Sequence, residues 1–300
     1  MIVPLLLLLA VLNGAPAHGA GLALGAGLAH GVGFAHETAP VGAPQAAAVY
    51  TVAAPVAPDS PAIAPSEVIT YYAFLPLLAN QPAGCAPIPG VHYGTLDVDG
   101  PPTGRPAEQH PDLNLALRGY EVTSAYHGLV DYGGSGDPGA PQLDTLFADR
   151  RLPAFPAVYQ VYDWDWEHDR RGDLLADYNV TLAGMAVAPG EVLRLPDSGY
   201  SIGDGYEALV LYASKERITL KYTREDNVVH GYTVHIENVC VEPRLLALYW
   251  AWNDAGRGEL PALRGGQPFG RAREGEIRVA VRDNGTFMDP RSRRDWWQSK

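Results

Sequence analysis

The sequence predicts an all-β fold, a barrel or sandwich of short antiparallel strands with one inserted amphipathic helix. Runs rich in Val, Ile, Tyr and Trp recur at close spacing from Pro156 onward, Gly, Pro, Asn and Asp punctuate them, and one stretch alone carries helical periodicity. With 300 residues, 47% of them hydrophobic, the chain can bury one sizeable core or two small ones.

Element by element, the chain opens with MIVPLLLLLAVLNGAPA, an apolar run followed by Ala15-Pro16-Ala17. This fits a secretory leader over 1–17, although no Lys or Arg precedes the run. It is too short to span a bilayer as a helix, so export without a stable membrane span is expected. Residues 18–65 are almost wholly Ala, Gly, Pro and Val, a disordered tether whose His18, His30 and His36 are irregularly spaced. Residues 66–154 form a loop-rich β region, with strand signals at Glu67–Asn80 and Tyr120–Tyr132, and 155–300 form the barrel-like domain.

Within that domain strands are expected at Pro156–Trp166, Val180–Val187, Glu191–Leu195, Tyr206–Tyr212, Ile218–Tyr222, Val228–Ile236 and Glu276–Asp283. Between the last two lies the helix. Pro243 at its first turn, Leu245, Leu246, Leu248, Tyr249 and Trp252 at helical spacing, and Gly256 just past its end place it over Glu242–Asp254, as a lid or packing helix.

The closing segment Leu260–Pro290 reads LPALRGGQPFGRAREGEIRVAVRDNGTFMDP. Its Gly266-Gln267-Pro268-Phe269-Gly270 turn, its Val279–Arg282 strand end with Asn284-Gly285, and its Asp289-Pro290 close resemble the end of a lysostaphin-type zinc endopeptidase. In that family the turn reads GQ-x-I-G and the strand HLHFEVR. The likeness runs more loosely through Ile218–Val239, where His235 falls on the histidine of a YAHL-like segment.

The resemblance implies a duplicated hybrid motif barrel that is degenerate at its metal ligands. Its two HxH positions fall on Glu276 and Arg278. A catalytic zinc wants three neutral or anionic ligands and an open position, whereas a guanidinium offers no lone pair and stays charged. The family's other two ligands come from an upstream H-x3-D pair, and no counterpart is expected ahead of residue 155. Neither a metal nor any other cofactor is expected. His235, Glu276, Arg278 and His230 remain as a candidate binding groove, with Arg278 able to clamp a carboxylate.

A second cluster is Asp163-Trp164-Asp165-Trp166-Glu167-His168-Asp169. In an extended strand its acids share one face and Trp164, Trp166 and His168 the other. Trp164 and Trp166 could stack on a sugar, the acids could hold calcium, or the segment could be a charged edge strand. Asp97-Val98-Asp99-Gly100 reads as a turn, and Gly134-Ser135-Gly136 as a loop and not a nucleophile elbow. Two cysteines, Cys85 and Cys240, permit one disulfide or two buried thiols.

A net charge of −12 argues against a nucleic-acid partner. Only Lys215, Lys221 and Lys300 are lysines, an arginine preference that suggests a GC-rich, bacterial genome. The functional expectation is an exported, extracytoplasmic, non-catalytic module binding peptidoglycan or another envelope polymer. Two alternatives stay open. One is an active zinc-dependent hydrolase using His235 with Glu276 and one of Asp163, Asp165 or His168; the other is a purely structural surface protein.

Overall fold

A computed structural model describes residues 85–300, together with the backbone of two strands nearer the start, β1 (Leu7–Val11) and β2 (Val49–Ala53). These two pair antiparallel within a unit spanning Met1–Leu78, and Ala79–Lys300 form a second unit. Apart from those two backbones, the leader expected at 1–17, the tether at 18–65 and the strand at Glu67–Asn80 lie outside the described residues.

The second unit is all-β, built from antiparallel strands with few helices. Its large sheet runs β3 (Gly94–Asp97), β13 (Glu259–Leu263), β9 (Ala208–Ala213), β10 (Arg217–Lys221), β11 (Tyr232–Glu237), β15 (Glu276–Asp283), β7 (Leu182–Ala186), β5 (Val158–Asp165) and β4 (Tyr120–Val122). Off this path, β16 (Thr286–Met288) pairs with β15 and β6 (Arg170–Leu174) with β5. A second sheet has three strands, β12 (Val239–Val241), β14 (Pro268–Ala272) and β8 (Val192–Arg194). Because β3 and β4 lie in the same sheet as the later strands, the boundary expected between 154 and 155 falls inside this unit.

Alternation along the central strands separates two faces. On one, Val234 and Ile236 of β11 and Ile277, Val279 and Val281 of β15 are fully buried and join the main core with Leu193, Val239 and Phe269 from the small sheet. The helix α2 (Pro243–Asp254) closes that core through Leu245 and Tyr249. Glu242 caps it, its side chain accepting from the Arg244 and Leu245 amides, and Gly256 beyond it sits at φ 97°. On the opposite face a smaller cluster holds Leu115, Tyr159, Val161, Leu182, Ala280 and Phe287.

Cys85 and Cys240 are joined by a disulfide, which fastens the start of the described chain to β12 across 155 residues. Asn284 (φ 44°) and Gly285 (φ 83°) turn β15 into β16, the left-handed pair that a two-residue hairpin requires. The strand expected at Tyr120–Tyr132 ends at Val122, and Tyr126, 71% exposed, stands in a loop. The strand expected from Val228 starts only at Tyr232, after Gly231 at φ 62°.

Candidate functional site

The second face of the large sheet carries a row of polar side chains in register. Arg217, Thr219 and Lys221 of β10 lie opposite Glu237, His235 and Thr233 of β11, and these lie opposite Arg278, Ala280 and Arg282 of β15. Such a row would be exposed in an open sheet. Here residues 107–118, which include the short helix α1 (Leu115–Arg118), lie over it through the Leu113 carbonyl and Asp112, with Leu115 in the small cluster of this face and Leu113 in the main core.

The cover is held by charge and by hydrogen bonds. Asp112 accepts from Arg118 and Arg282, each at 2.7 Å, and both guanidiniums lie near the ring of Phe287. Burial alone would raise the Asp112 carboxyl, but the two arginines outweigh it and hold its pKa down at about 2. Thr219 donates to the Leu113 carbonyl at 2.6 Å, so its oxygen is left to accept from His235 Nδ1 at 3.0 Å. His235 is therefore the Nδ1–H tautomer with a bare Nε2 lone pair, and that nitrogen has no partner among the described residues. Its ring stacks on Phe287, with centroids 5.9 Å apart. Burial and the Arg282 guanidinium lower its pKa to about 3, so it is neutral.

Glu276 and Arg278 belong to a different group. Arg278 Nε donates to Glu276 Oε1 at 2.7 Å and to the Tyr159 hydroxyl at 3.2 Å, and its Nη1 donates to the Tyr120 hydroxyl at 3.1 Å. Tyr159 itself donates to Glu276 Oε1 at 2.8 Å. Gly184 opposite Arg278 permits this: a Cβ there would meet the Glu276 carboxyl at 2.8 Å. The expected approach of His235 to Glu276 does not occur. His235 pairs with Ala280, four residues along β15 from Glu276, a separation of about 13 Å along a strand. His230 lies apart from both, exposed in the turn before β11, its carbonyl accepting from Lys221.

These residues do not fit a catalytic zinc. The strand position of one family ligand carries a guanidinium already paired to Glu276, and the His235 Nε2 lone pair is sealed beside Arg118 and Arg282. No group of three His, Cys, Asp or Glu among the described residues is arranged to hold a metal. One correction concerns the sequence: an H-x3-D spacing does occur, at His127 and Asp131. Asp131 pairs with Arg293 at 3.1 Å, and Val130 between them bridges to Ser292. That segment is bonded to Arg291 and Arg293 near the C-terminus.

At the Trp-rich segment, strand geometry stops at Asp165 and a turn replaces the expected alternation. Asp165 accepts from His168 and Arg170, Asp169 from Arg105 and the Trp164 indole, and Asp163 from Arg118. Each of these three aspartates has its own cation or donor, which disperses the calcium arrangement. Trp166 is 49% exposed, but Arg105 lies over its ring at 5.5 Å and His110 meets its edge.

A different concavity is open. Tyr200, Tyr222, Tyr232, Thr223, Asp283 and Asn284 line a cleft of about 320 Å³ where β10, β11 and β15 end. Asp283 continues the register of β15 that places Arg278 and Arg282, so its position was readable once the pairing was known. Tyr200 gave no sequence signal, since it lies in an irregular loop. Among the described residues no helix is long and apolar enough to cross a membrane. No protein family, no curated protein and no solved structure matches the chain.

Proposed function

We propose that this chain is an exported, non-catalytic binding module, directed at peptidoglycan or another envelope polymer, on a barrel related to lysostaphin-type endopeptidases. One observation carries the reading: Arg278, at the place of a metal-binding histidine in that resemblance, is closed into a set with Glu276, Tyr159 and Tyr120. A group so engaged is neither a ligand nor a base. His235, on the neighbouring strand β11, is 1% exposed and cannot meet a substrate. The Cys85–Cys240 disulfide supports an oxidising compartment and with it export.

Sedimentation of the full chain with insoluble peptidoglycan, run beside a zymogram, tests this. Retention in the pellet with no cleared band is expected. Stoichiometric zinc together with lytic activity, both lost in His235→Ala, would replace the proposal with the hydrolase reading. Absence of retention on any envelope polymer would leave the structural surface protein.

A further inference from the structure

The open cleft has a chemistry that narrows its ligand. Tyr200 and Tyr232 both donate their hydroxyls to the same oxygen of Asp137, at 2.7 and 2.8 Å, and Tyr222 donates to the Pro196 carbonyl at 2.8 Å. All three hydroxyls are engaged within the protein. What the tyrosines turn toward the cleft is therefore ring surface, and the rings of Tyr200 and Tyr232 stand 6.1 Å apart at a tilt of 51°. Tyr200 is 45% exposed.

The one charged group in the lining is Asp283, and it is uncompensated. Its carboxylate takes part in no hydrogen bond and no ion pair among the described residues. Burial, then the neighbouring Asp137 and Asp295 carboxylates, push its pKa up against a weaker pull from Lys221. Lys221 cannot come forward to pair with it, since the side chain is fully buried and its ammonium donates to the His230 carbonyl. An anionic ligand would be repelled by these carboxylates. A neutral sugar would leave the charge uncompensated and find the three phenol hydroxyls already engaged. A hard divalent cation would find a single free carboxylate, far short of its usual oxygen shell.

We infer that the cleft binds an organic ammonium group, primary or quaternary, held against the faces of Tyr200 and Tyr232 and paired with Asp283. Aromatic faces attract such cations through the ring quadrupole, and tyrosine rings beside an acid are a recurrent way of holding them. The inference rests on the binding-module reading and gives it a ligand class: an amine-bearing polymer or peptide, engaged through its cationic group.

Titrate the full, disulfide-intact chain with tetramethylammonium and n-butylammonium, and in parallel with neopentyl alcohol as a neutral probe of similar bulk, following amide shifts of Gly231 and Asn284. Saturable shifts with the ammonium probes and none with the alcohol are expected. Asp283→Asn weakens binding by about tenfold or more, Tyr200→Leu weakens it, and Tyr200→Phe retains it because the ring face is kept. Thermal melts of each variant identify any that fail to fold, and the Phe and Leu pair still decides the matter. Equal binding of the alcohol, or no effect of Asp283→Asn in a folded variant, overturns the inference. Retention on peptidoglycan without any ammonium shift overturns it while the binding-module reading stands. Ammonium shifts without retention on any polymer sustain the cleft and remove the polymer.

Discussion

Two acids placed by β15, one paired to Arg282 and the other the next residue along the strand, meet opposite fates. Under the cover, Asp112 sits between Arg118 and Arg282, and its pKa is held far down at about 2. In the cleft, Asp283 has no hydrogen-bond or ion-pair partner among the described residues, and its pKa is pushed up. The first carboxylate is structural because every one of its charges is answered inside the protein. The second is a candidate for binding because its charge is answered by nothing. Polarity alone does not mark a site, since the covered face is the more polar of the two; what marks it is polarity left without a partner at an accessible surface.

The comparison breaks most severely where the cover is anchored. Reduction of Cys85–Cys240 releases the chain that leads into β3 and onward to the cover, and costs on the order of 4–5 kcal/mol in the chain-entropy picture for so long a loop. Urea unfolding with and without reductant checks this; an unchanged midpoint refutes it. Asp112→Ala leaves the buried Arg282 without a carboxylate and Arg118 with only the exposed Asp163, a loss of about 3–5 kcal/mol. If the midpoint of Asp112→Ala stays near that of the native chain, the cover is not held by this acid.

A smaller effect follows from His235. Its folded pKa, about 3, lies below the ordinary 6.5, so the neutral buried ring contributes stability that is complete above pH 6.5 and is lost as pH falls toward 3. By pH 4 the loss is about 3 kcal/mol. His110, also lowered by burial, acts in the same direction, whereas the stability Asp112 contributes is fully present above its unfolded value of 3.8 and is lost only as pH falls from there toward 2. Unfolding midpoints at pH 7 and pH 4 should converge in His235→Leu more than in His110→Gln. Equal pH dependence in the native chain and in His235→Leu would show that the ring is not sealed as described.

The sequence made the strands and α2 legible because their patterns are local: alternation at Ile277, Val279 and Val281, and a proline and a glycine bracketing Leu245 and Tyr249. It did not reveal the cover. Leu113 and Leu115 sit in a stretch broken by Pro106 and Pro111, and nothing local says that it lies against β10 and β11. Weak strands were missed for a related reason. β6 reads Arg-Arg-Gly-Asp-Leu, and it is a strand only because β5 pairs with it. The candidate groove was drawn from positions in a resemblance, which fixes neighbours along a strand but not what packs above them. His235 and Glu276 share a sheet face and still serve separate groups.

The finest test turns on sign. Asp112→Asn should destabilise, since it removes the charge that two buried guanidiniums require. Asp283→Asn should do the reverse at pH 7. The folded pKa of Asp283 is raised, so its ionised form is the costly one, and any stability it contributes is present at low pH and lost as pH rises through the folded pKa. Because the group is only half-buried, solvent screening limits the gain from Asp283→Asn to about 0.5 kcal/mol. The variant should thus be slightly more stable and, at the same time, deaf to tetramethylammonium. A chain that keeps a destabilising carboxylate in an aromatic cleft is trading stability for a contact it does not make alone. Should Asp283→Asn melt below the native chain at pH 7 and above it at pH 4, Asp283 would have an internal partner after all, and the contrast with Asp112 would vanish.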